Sequence, residues 1–300
     1  MQVADDTVKI PAMRDGVGAS SVRLPPGRWL RLIDFLDQHF ADVGREAWQS
    51  RMRRGLVLSA SGAALSADTP YVPGDIVHYY RELEHEPEIP FEADVLYRNA
   101  HLLIADKPHF LPVVPSGRFL QQSLLVRLRR LTGLDGLSPL HRIDRGTAGL
   151  VAFSVDPDTR GRYQALFATR RIEKVYEALA PANETLALPF MRQTRIVRGD
   201  PFFLSQEVDG APNSETVFES ATPYAASWLY RLRPLTGKKH QLRLHMAAVG
   251  VPIDNDPLYP QLRDDLADDY SRPLKLLARS LVFVDPLSGK RCVFESRRNL

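Results

Sequence analysis

The sequence predicts a protein in which helices and strands are mixed and which divides into two folded parts. Three observations support this prediction. Apolar residues recur at helical spacing just after residue 28, and short strand-like runs follow them. An acidic stretch with two prolines, residues 82–94, is unsuited to a core and is interpreted as a linker. Beyond it, strand and helix patterns alternate, which indicates a mixed α/β domain over 95–300.

The first part is expected to be small. Residues 1–25 carry scattered Gly, Ser and Pro without a sustained period, so we expect a flexible arm there. Over 26–81 the patterns predict a compact helix–helix–strand–strand module. Its expected elements are a helix with the apolar stripe Trp29, Leu32, Ile33, Leu36 and Phe40, a basic helix over 45–54 that ends before Gly55, and strands over 56–60 and 76–80.

The second part shows alternating signals along its whole length. Strand patterns are rich in β-branched and aromatic residues, and the helical patterns between them are longer. The expected elements are a strand-like segment over 95–105, strands over 149–154, 175–179 and 228–233, and helices over 160–169 and 241–249.

Composition excludes several classes of protein. The 300 residues are 44% hydrophobic and 25% charged, which suits a globular chain with a sizeable core. The single cysteine, Cys292, excludes an intrachain disulfide framework and a multi-cysteine metal site. No run approaches about 18 apolar residues, and the first residues are acidic without an apolar stretch. We therefore expect no membrane span, no secretory signal and a cytoplasmic location.

Charge is distributed unevenly along the chain. The whole-chain surplus is small, with 39 Lys and Arg against 36 Asp and Glu. Residues 118–174, however, contain eleven basic and five acidic residues, and residues 228–250 contain five basic residues and no acid. Such segregation suits a polyanion partner, because each phosphate contact releases counterions. A solvated surface with both signs interspersed is the alternative interpretation.

The most unusual segment is His-Arg-Ile-Asp-Arg-Gly-Thr-Ala-Gly over 141–149, in which Asp144 stands between Arg142 and Arg145. Adjacent cations favour the ionised carboxylate even when it is partly buried. A positioned, ionised carboxylate can act as a nucleophile or as a base. For this segment taken alone, a structural Asp–Arg pair at a strand edge is the alternative.

Two further segments carry side chains suited to chemistry. Lys174 and Tyr176 stand on one predicted strand, where a tyrosine can stack on a ring or accept a proton. Residues 235–245 place basic and amide groups at a turn that leads into a helix, which suits phosphate, and Arg243 there could pair with a buried carboxylate. Taken singly, an ordinary strand tyrosine and a solvated helix start are the simpler interpretations. Phosphate-binding glycine loops, paired metal-binding histidines and a nucleophile elbow are missing from the sequence.

Taken together, these segments resemble the RluA-type pseudouridine synthases, which isomerise uridine in ribosomal or transfer RNA. HRIDRGTAGL (141–150) is similar to the family's aspartate loop HRLDxxTSGL, and residues 174–176 to its lysine-x-tyrosine strand. GKKHQLRLHMAAVGVPIDNDPLY (237–259) is similar to the block GRTHQIRVHxxxxGxPIxGDxLY. LLIADKP (102–108) resembles the opening strand and its Asp-Lys-Pro turn. Order and spacing agree over about residues 95–290.

The resemblance implies a fold and a set of roles. The fold would be α+β, with a mixed, largely antiparallel central sheet and flanking helices, preceded by a small module similar to the ribosomal-protein S-four RNA-binding type. Asp144 would be the nucleophile, Tyr176 would pack on the target base and help to remove the proton at carbon 5, and Arg243 would pair with Asp144. RNA contacts are implied for Arg142, Arg145, Thr147, Lys174, Lys238, Lys239, His240 and Gln241. Departures from the family pattern stand at Lys238, Lys239, Asn255 and Leu277.

The resemblance also implies RNA as the partner, with no metal and no redox cofactor, and a monomer is the simplest expectation. The basic N-terminal module favours large-subunit ribosomal RNA as the expected substrate, with transfer RNA as the alternative. A carboxylate at position 144 could add to the uracil ring or remove a sugar proton, and the sequence does not choose between these routes. A non-catalytic RNA-binding or ribosome-assembly factor on the same scaffold stays open, whereas a glycosidase is disfavoured because no second acid is placed to partner Asp144.

Overall fold

The computed structural model describes residues 11–263 and 268–300. The chain forms two compact units that are separated in sequence between Glu86 and Pro87. This division falls inside the stretch 82–94 that was expected to be the linker. The arm expected over 1–25 lies outside the described residues as far as residue 10. Its last part departs from that expectation, because Ser20–Arg23 is an ordered strand.

The N-terminal unit contains two helices and a three-stranded antiparallel sheet. Its elements are β1 (Ser20–Arg23), α1 (Leu32–His39), α2 (Arg45–Arg53), β2 (Val57–Ser59) and β3 (Ile76–Tyr79), with the strands in the order β1-β3-β2. The apolar stripe of α1 is buried, and Trp48 and Met52 of α2 pack with it over the sheet. The periodicity therefore located both helices and two strands, whereas β1 was missed because Ser20–Arg23 is short and contains one apolar residue, Val22.

The C-terminal unit is organised around one large sheet. Its elements are β4 (Asp94–Arg98), β5 (Leu102–Lys107), α3 (Leu124–Thr132), β6 (Ser138–Pro139), β7 (Ala148–Ser154), α4 (Arg160–Ala168), β8 (Glu173–Ala180), β9 (Phe190–Arg198), β10 (Ser205–Val208), β11 (Ser214–Tyr224), β12 (Ser227–Pro234), α5 (Gln241–Ala248), β13 (Leu276–Val284) and β14 (Arg291–Glu295).

The strands of this unit follow the order β10-β9-β11-β12-β8-β13-β7-β5-β4, with β14 beside β13 and β6 beside β7. Within the described residues, β7 and β13 pair in parallel and the other ladders are antiparallel. This confirms the expected α+β class with a mixed, largely antiparallel central sheet. The strand-like segment over 95–105 is two strands, because the Asn99 side chain accepts hydrogen bonds from the backbone N–H groups of His101 and Leu102 and closes a turn.

Helices cover both faces of the middle of the sheet. Alternate residues of β5 and β7 point to opposite faces: Leu103 packs with α3, and Ile104 packs with Tyr163 and Leu166 of α4. On the adjoining half, Leu242 and Met246 of α5 pack on β8 and β12. This packing fixes β7, β8 and α5 relative to one another. These three elements, with the loops beside them, carry the residues singled out in the sequence.

Candidate active site

The aspartate loop connects β6 to β7. Side chains at the end of β5 and just after it donate hydrogen bonds to the backbone of this loop. The Lys107 ammonium donates to the Arg145 carbonyl at 3.1 Å, and the His109 Nδ1–H donates to the Gly146 carbonyl at 2.7 Å. Gly149 has φ of +107°, and a Cβ there would lie 2.3 Å from the Ala278 carbonyl oxygen, so only glycine fits beside β13. The Asp144 side chain is left 26% exposed and faces a cavity.

The supports under this loop are themselves buried. Lys107 is fully buried, and burial lowers the pKa of its ammonium well below the ordinary value, although the charge of Asp144 opposes that fall. Burial likewise lowers the pKa of His109 to about 4, with its hydrogen bond to Gly146 acting in the other direction. Near neutral pH the neutral His109 imidazole therefore donates one directed hydrogen bond to the loop.

Arg243 projects from α5 and lies between two carboxylates. Its Nε donates to Asp256 Oδ2 at 2.8 Å and its Nη2 to Asp256 Oδ1 at 2.5 Å, which is a bidentate pair. The remaining Nη1 lies 3.5 Å from Asp144 Oδ2. The side chains of Arg243 and Asp256 are only 5% and 1% exposed, so the pair is shielded from water. The expected approach of Arg243 to Asp144 is thus present as an ion pair, and Asp256 is the stronger partner.

The two carboxylates beside Arg243 keep its buried guanidinium charged. Burial opposes the charged form of Arg243, but the hydrogen bonds and charge of Asp256, with Asp144 adding to them, raise the pKa of the guanidinium. Asp256 Oδ1 also accepts the backbone N–H groups of Leu258 at 2.8 Å and Tyr259 at 3.2 Å. The Tyr259 ring lies 5.3 Å from the Arg243 Cζ. Arg243 is therefore a fixed cation beside Asp144 that cannot swing into solvent.

Strand β8 presents Lys174 and Tyr176 on the face that lines the cavity. The Tyr176 ring packs against the apolar cluster beneath α5. Burial and then the charge of Asp144 raise the pKa of its hydroxyl above the ordinary value, so the phenol is neutral near pH 7. Burial, with Arg170 adding to it, lowers the pKa of Lys174 to about 8, and its ammonium donates to the Thr236 carbonyl at 3.4 Å. The two expected side chains thus lie in one wall of the cavity.

A single cavity of about 1350 Å³ is lined by every one of the eleven residues singled out as catalytic or RNA-binding. Its volume exceeds that of a typical small-molecule pocket, about 300–1,000 Å³. Nine cations line it against the three acids Asp144, Asp268 and Asp269. Aromatic rings are also present in its walls. The cations are Arg142, Arg145, Arg170, Lys174, Lys238, Lys239, Arg243, Arg263 and Arg272, and the rings are Phe110, Phe167, Tyr176 and Phe203.

The expected RNA-binding residues fall into two groups. Arg142, Lys238 and Lys239 are exposed, and Arg145 and Lys174 are half-buried, so all five offer charge to the cavity. Thr147, His240 and Gln241 are buried, with exposed fractions of 2%, 9% and 4%. Burial limits what these three can offer a ligand, and for His240 and Gln241 the polar side-chain groups are already engaged within the protein.

The hydrogen bonds of Gln241 show this structural role most clearly. Its amide nitrogen donates to the Glu215 carbonyl and to Thr216 Oγ1, both at 2.9 Å. Its amide oxygen accepts from Thr236 Oγ1 at 2.7 Å and from the Lys238 backbone N–H at 3.1 Å. Gln241 therefore joins the start of α5 to β11 and to the preceding turn. His240 similarly pairs with the Tyr259 hydroxyl at 2.9 Å.

The structure accounts for two departures from the family pattern. Asn255 has φ of +63°, a left-handed conformation that glycine adopts freely and that asparagine tolerates better than most residues. Its side chain also donates to the Pro273 carbonyl at 3.1 Å. Leu277 is fully buried on β13, opposite Ala148 of β7, where an apolar side chain fits the core. The lysines at 238 and 239 lie at the exposed rim of the cavity.

Two important residues were not singled out in the sequence. Asp256 lies inside the quoted block 237–259, and the need of a buried arginine for a carboxylate partner could have drawn attention to it. Lys107 lies in the quoted Asp-Lys-Pro turn, but nothing in the sequence indicated that its ammonium supports the Asp144 loop. The Arg243–Asp256 contact joins residues 13 apart and the Lys107–Arg145 contact joins residues 38 apart, so both depend on how the chain folds between them.

Over the part of the chain that the structure describes, His, Cys, Asp and Glu side chains form no group of three suited to holding a metal ion. Among the same residues, the helices are too short or too polar for any of them to traverse a bilayer. Cys292 is a free thiol of intermediate burial.

Comparison with known proteins agrees with this geometry. Residues 101–248, which include the Asp144 loop, β8 and α5, match the model of the RNA pseudouridylate synthase family. The chain belongs to this family. The membership that the motifs indicate is thereby confirmed, and Asp144, Tyr176 and Arg243 all lie inside the stretch that matches the family.

Relatives of this pseudouridylate synthase chain differ in the RNA that their names give. It is 28% identical to ribosomal large subunit pseudouridine synthase C of Vibrio cholerae over 284 residues, which cover 87% of each chain. It is also 28% identical to tRNA pseudouridine(31) synthase of Saccharomyces cerevisiae, over 78% of this chain and 68% of the yeast protein. The solved structure of human RNA pseudouridylate synthase domain containing 4 shares its fold, with a TM-score of 0.53, 24% identity and coverage of 68% of this chain and 87% of the human one.

Proposed function

We propose that this enzyme converts uridine to pseudouridine in structured RNA with Asp144 as the reacting carboxylate. The observation that carries the proposal is the ionic contact of Asp144 with the buried Arg243–Asp256 pair at the wall of a cation-lined cavity. A carboxylate fixed in this way is positioned beside a buried cation and open on one side. The cavity is large enough for an unstacked nucleotide, and its cations suit the phosphates on either side of that nucleotide.

The isomerisation proceeds in successive steps that use the cavity and then Asp144. The target uridine leaves its stack at a cost of a few kcal/mol, which stacking and phosphate contacts in the cavity roughly offset. The bond between N1 and the sugar carbon C1′ then breaks, the uracil turns, C5 joins C1′, the proton on C5 departs and N1 gains one. Asp144 supports bond cleavage either by adding to the uracil ring or by removing a sugar proton.

Both routes remove the negative charge of Asp144, and this charge affects the pKa of the Tyr176 hydroxyl. While Asp144 is ionised, its charge helps to raise the pKa of the Tyr176 hydroxyl, so the phenol cannot act as a base. Once the carboxylate has become an ester or an acid, that part of the effect disappears, and the phenolate that can accept the C5 proton forms more readily. We therefore assign Tyr176 to the removal of the C5 proton after Asp144 has reacted, in addition to packing on the base.

The role of Asp144 is tested by Asp144→Asn and Asp144→Ala. We expect pseudouridine formation to fall by about 10³-fold or more, because the reacting group is lost, while RNA binding survives. Carbodiimide-based primer extension on RNA treated with each variant measures the product, and filter binding measures affinity. Activity retained by Asp144→Ala would contradict the proposed chemistry. A wild-type protein that binds RNA but leaves every uridine unchanged would instead favour a non-catalytic RNA-binding factor.

For the substrate we propose large-subunit ribosomal RNA. The Vibrio cholerae relative supports this choice, since it aligns over most of both chains. Transfer RNA is the alternative, favoured by the yeast relative of equal identity. Mapping of pseudouridine in both RNA classes, from cells with and without this protein, distinguishes them, because only the true target loses its modification.

The N-terminal unit is proposed to add RNA affinity as an S-four-like module. Two helices followed by strands, with a basic second helix, support this assignment. Much of that basic charge is compensated within the unit: Arg45 lies 2.8 Å from Asp34, and Arg54 lies 2.6 Å from Glu82. Arg53 is exposed on the same helix and is the cation best placed to meet a phosphate.

A further inference from the structure

Two arginines near the aspartate loop converge on one carboxylate oxygen. Arg145 Nη2 lies 2.5 Å from Asp268 Oδ2, and Arg118 Nη2 lies 2.7 Å from the same atom. Both guanidinium groups also lie over the ring of Phe119, with Cζ-to-centroid distances of 4.6 Å for Arg145 and 5.3 Å for Arg118. The ring and the shared oxygen hold the two cations close together, and we name them the arginine pair.

The backbone presents the arginine pair rigidly. Arg118 stands at a tight turn closed by reciprocal backbone hydrogen bonds between Ser116 and Phe119, at 2.8 and 3.0 Å. Arg145 follows Asp144 directly, and its carbonyl accepts the buried Lys107 ammonium. Neither guanidinium therefore owes its position to Asp268 alone.

Asp268 does not satisfy the whole pair. It supplies a single negative charge to two cations, and its side chain is 13% exposed. The Nε of Arg145 is buried and makes no hydrogen bond to any residue that the structure describes. A guanidinium offers five N–H donors in a fork that matches phosphate oxygens, so two adjacent forks form a site for an anion with several oxygens.

We propose that the arginine pair is a binding site for an RNA backbone phosphodiester, and that Asp268 occupies this site until RNA displaces it. The proposal rests on the function proposed above and names a subsite of the same cavity. A phosphodiester carries the same single charge as the carboxylate and has two unbridged oxygens, so it can replace Asp268 on both arginines. Because Arg145 adjoins Asp144, the phosphate belongs to a nucleotide neighbouring the target uridine.

Replacement of Asp268 by an RNA phosphodiester affects how strongly RNA affinity depends on salt. In the wild type, RNA replaces a carboxylate at the arginine pair, so few solution anions are released from the protein there. Without that carboxylate, the pair holds solution anions that RNA must release in addition to the counterions of its own phosphates, so log K depends more steeply on log salt. Loss of the Asp268 charge should therefore increase both the RNA affinity and its sensitivity to salt.

The test compares Asp268→Asn with Asp269→Asn, each in the Asp144→Asn background so that no RNA is turned over. Asp269 is a matched control, because it lines the same cavity but its carboxylate bonds Ser271, at 3.0 Å to the backbone N–H and 2.6 Å to Oγ. The probe is a uridine-containing RNA stem-loop of defined sequence, and Kd is measured over a series of salt concentrations. We expect Asp268→Asn to lower Kd by about three- to tenfold and to steepen the salt slope, with less than about a twofold change for Asp269→Asn.

A second variant keeps the test independent of the folding of Asp268→Asn. Arg118 is 55% exposed, so Arg118→Ala should fold normally, and we expect it to raise the Kd for the stem-loop in the protein that keeps Asp268. In the Asp268→Asn protein the increase should be larger. Equal tightening by both aspartate variants, or RNA binding no tighter in Asp268→Asn, overturns the proposal and makes Asp268 a structural brace. Because binding is the readout, this result is separate from a failure of wild-type catalysis, which would overturn the proposed reaction.

Discussion

Arg243 contacts two carboxylates, those of Asp256 and Asp144, and leaves the oxygens of Asp144 available for reaction. Asp256 takes two of its donors in a buried bidentate pair, which orients the guanidinium, whereas Asp144 lies 3.5 Å from the third nitrogen. This longer contact stabilises charge on Asp144 but leaves its oxygens available to a substrate. The approach of Arg243 to Asp144 was predictable from the motifs, whereas the division of labour with Asp256 depends on atomic geometry that no spacing rule encodes.

Lys174 gives a prediction at the scale of a single residue. Its pKa is lowered to about 8, first by burial and then by Arg170, so the amine loses its charge as the pH rises through that value. We expect kcat/KM of the wild type to fall above pH 8, because a neutral amine no longer attracts phosphate. Lys174→Arg keeps its charge at these pH values and should lose this limb of the pH profile.

The measurement is pseudouridine yield at limiting RNA between pH 7 and 9.5. Lys174→Gln is the control: it should be less active throughout and should also lack the limb. Ionisation of the uracil itself affects all three proteins equally, so the comparison isolates the lysine. An unchanged limb in Lys174→Arg would show that another group causes it.

At the scale of elements, burial helped to locate some strands but did not suffice, since β13 is mostly buried and was not among the expected strands. Strands β7 and β8, which bury many of their residues, and helices α4 and α5 were located within a few residues. Strands β9 and β10 escaped detection, because sequences such as Phe190–Arg198 alternate polar with partly exposed residues and bury little on either face. In the sheet β9 pairs with β11, and β10 pairs with β9 at the edge.

Substitution of Gln241 distinguishes a residue that binds RNA from one that holds secondary-structure elements together. Gln241→Leu removes four hydrogen-bond contacts, one buried and three partly buried, between α5, β11 and the preceding turn. We expect the free energy of unfolding to fall by about 2–4 kcal/mol, because several polar groups are left unsatisfied. The Kd for RNA, measured well below the melting temperature, should change by less than about twofold.

Lys239→Gln is the matched comparison, since Lys239 is exposed at the rim of the same cavity. It should alter stability by no more than about 0.5 kcal/mol while weakening RNA binding. Urea denaturation and filter binding on the two variants provide both quantities. A stable Gln241→Leu protein with weak RNA binding would restore the direct RNA contact expected from the sequence.

Considered as a whole, the catalytic unit holds four histidines whose pKa is lowered by burial, and two of them, His141 and His240, line the cavity. Burial lowers the pKa of His141 to about 3 and those of His109, His240 and His245 to about 4, against an ordinary value of 6.5. Protonation would also disrupt contacts, since His141 Nε2 accepts the Ala152 backbone N–H at 3.1 Å. The sequence showed these four histidines, but nothing in their spacing indicated that burial would lower the pKa of all four.

These shifts predict acid sensitivity of the folded unit. Between about pH 6.5 and pH 4 the unfolded chain binds protons that the native histidines do not, so the free energy of unfolding falls as the pH falls. Each such histidine contributes a slope that approaches about 1.4 kcal/mol per pH unit within this window. Above pH 6.5 the four histidines are neutral in both states, so their contribution no longer changes with pH.

Amide hydrogen exchange of the buried strands β7 and β13, corrected for intrinsic exchange rates, measures this free energy for the catalytic unit alone at a series of pH values. The control is His245→Gln, whose amide can keep one contact to Thr194 or Thr216, which the imidazole bonds at 2.9 Å each. This variant should show a shallower slope than the wild type by about one proton, or about 1.4 kcal/mol per pH unit. Equal slopes for the two proteins would mean that His245 titrates alike in the folded and unfolded states, against the burial seen beneath α5.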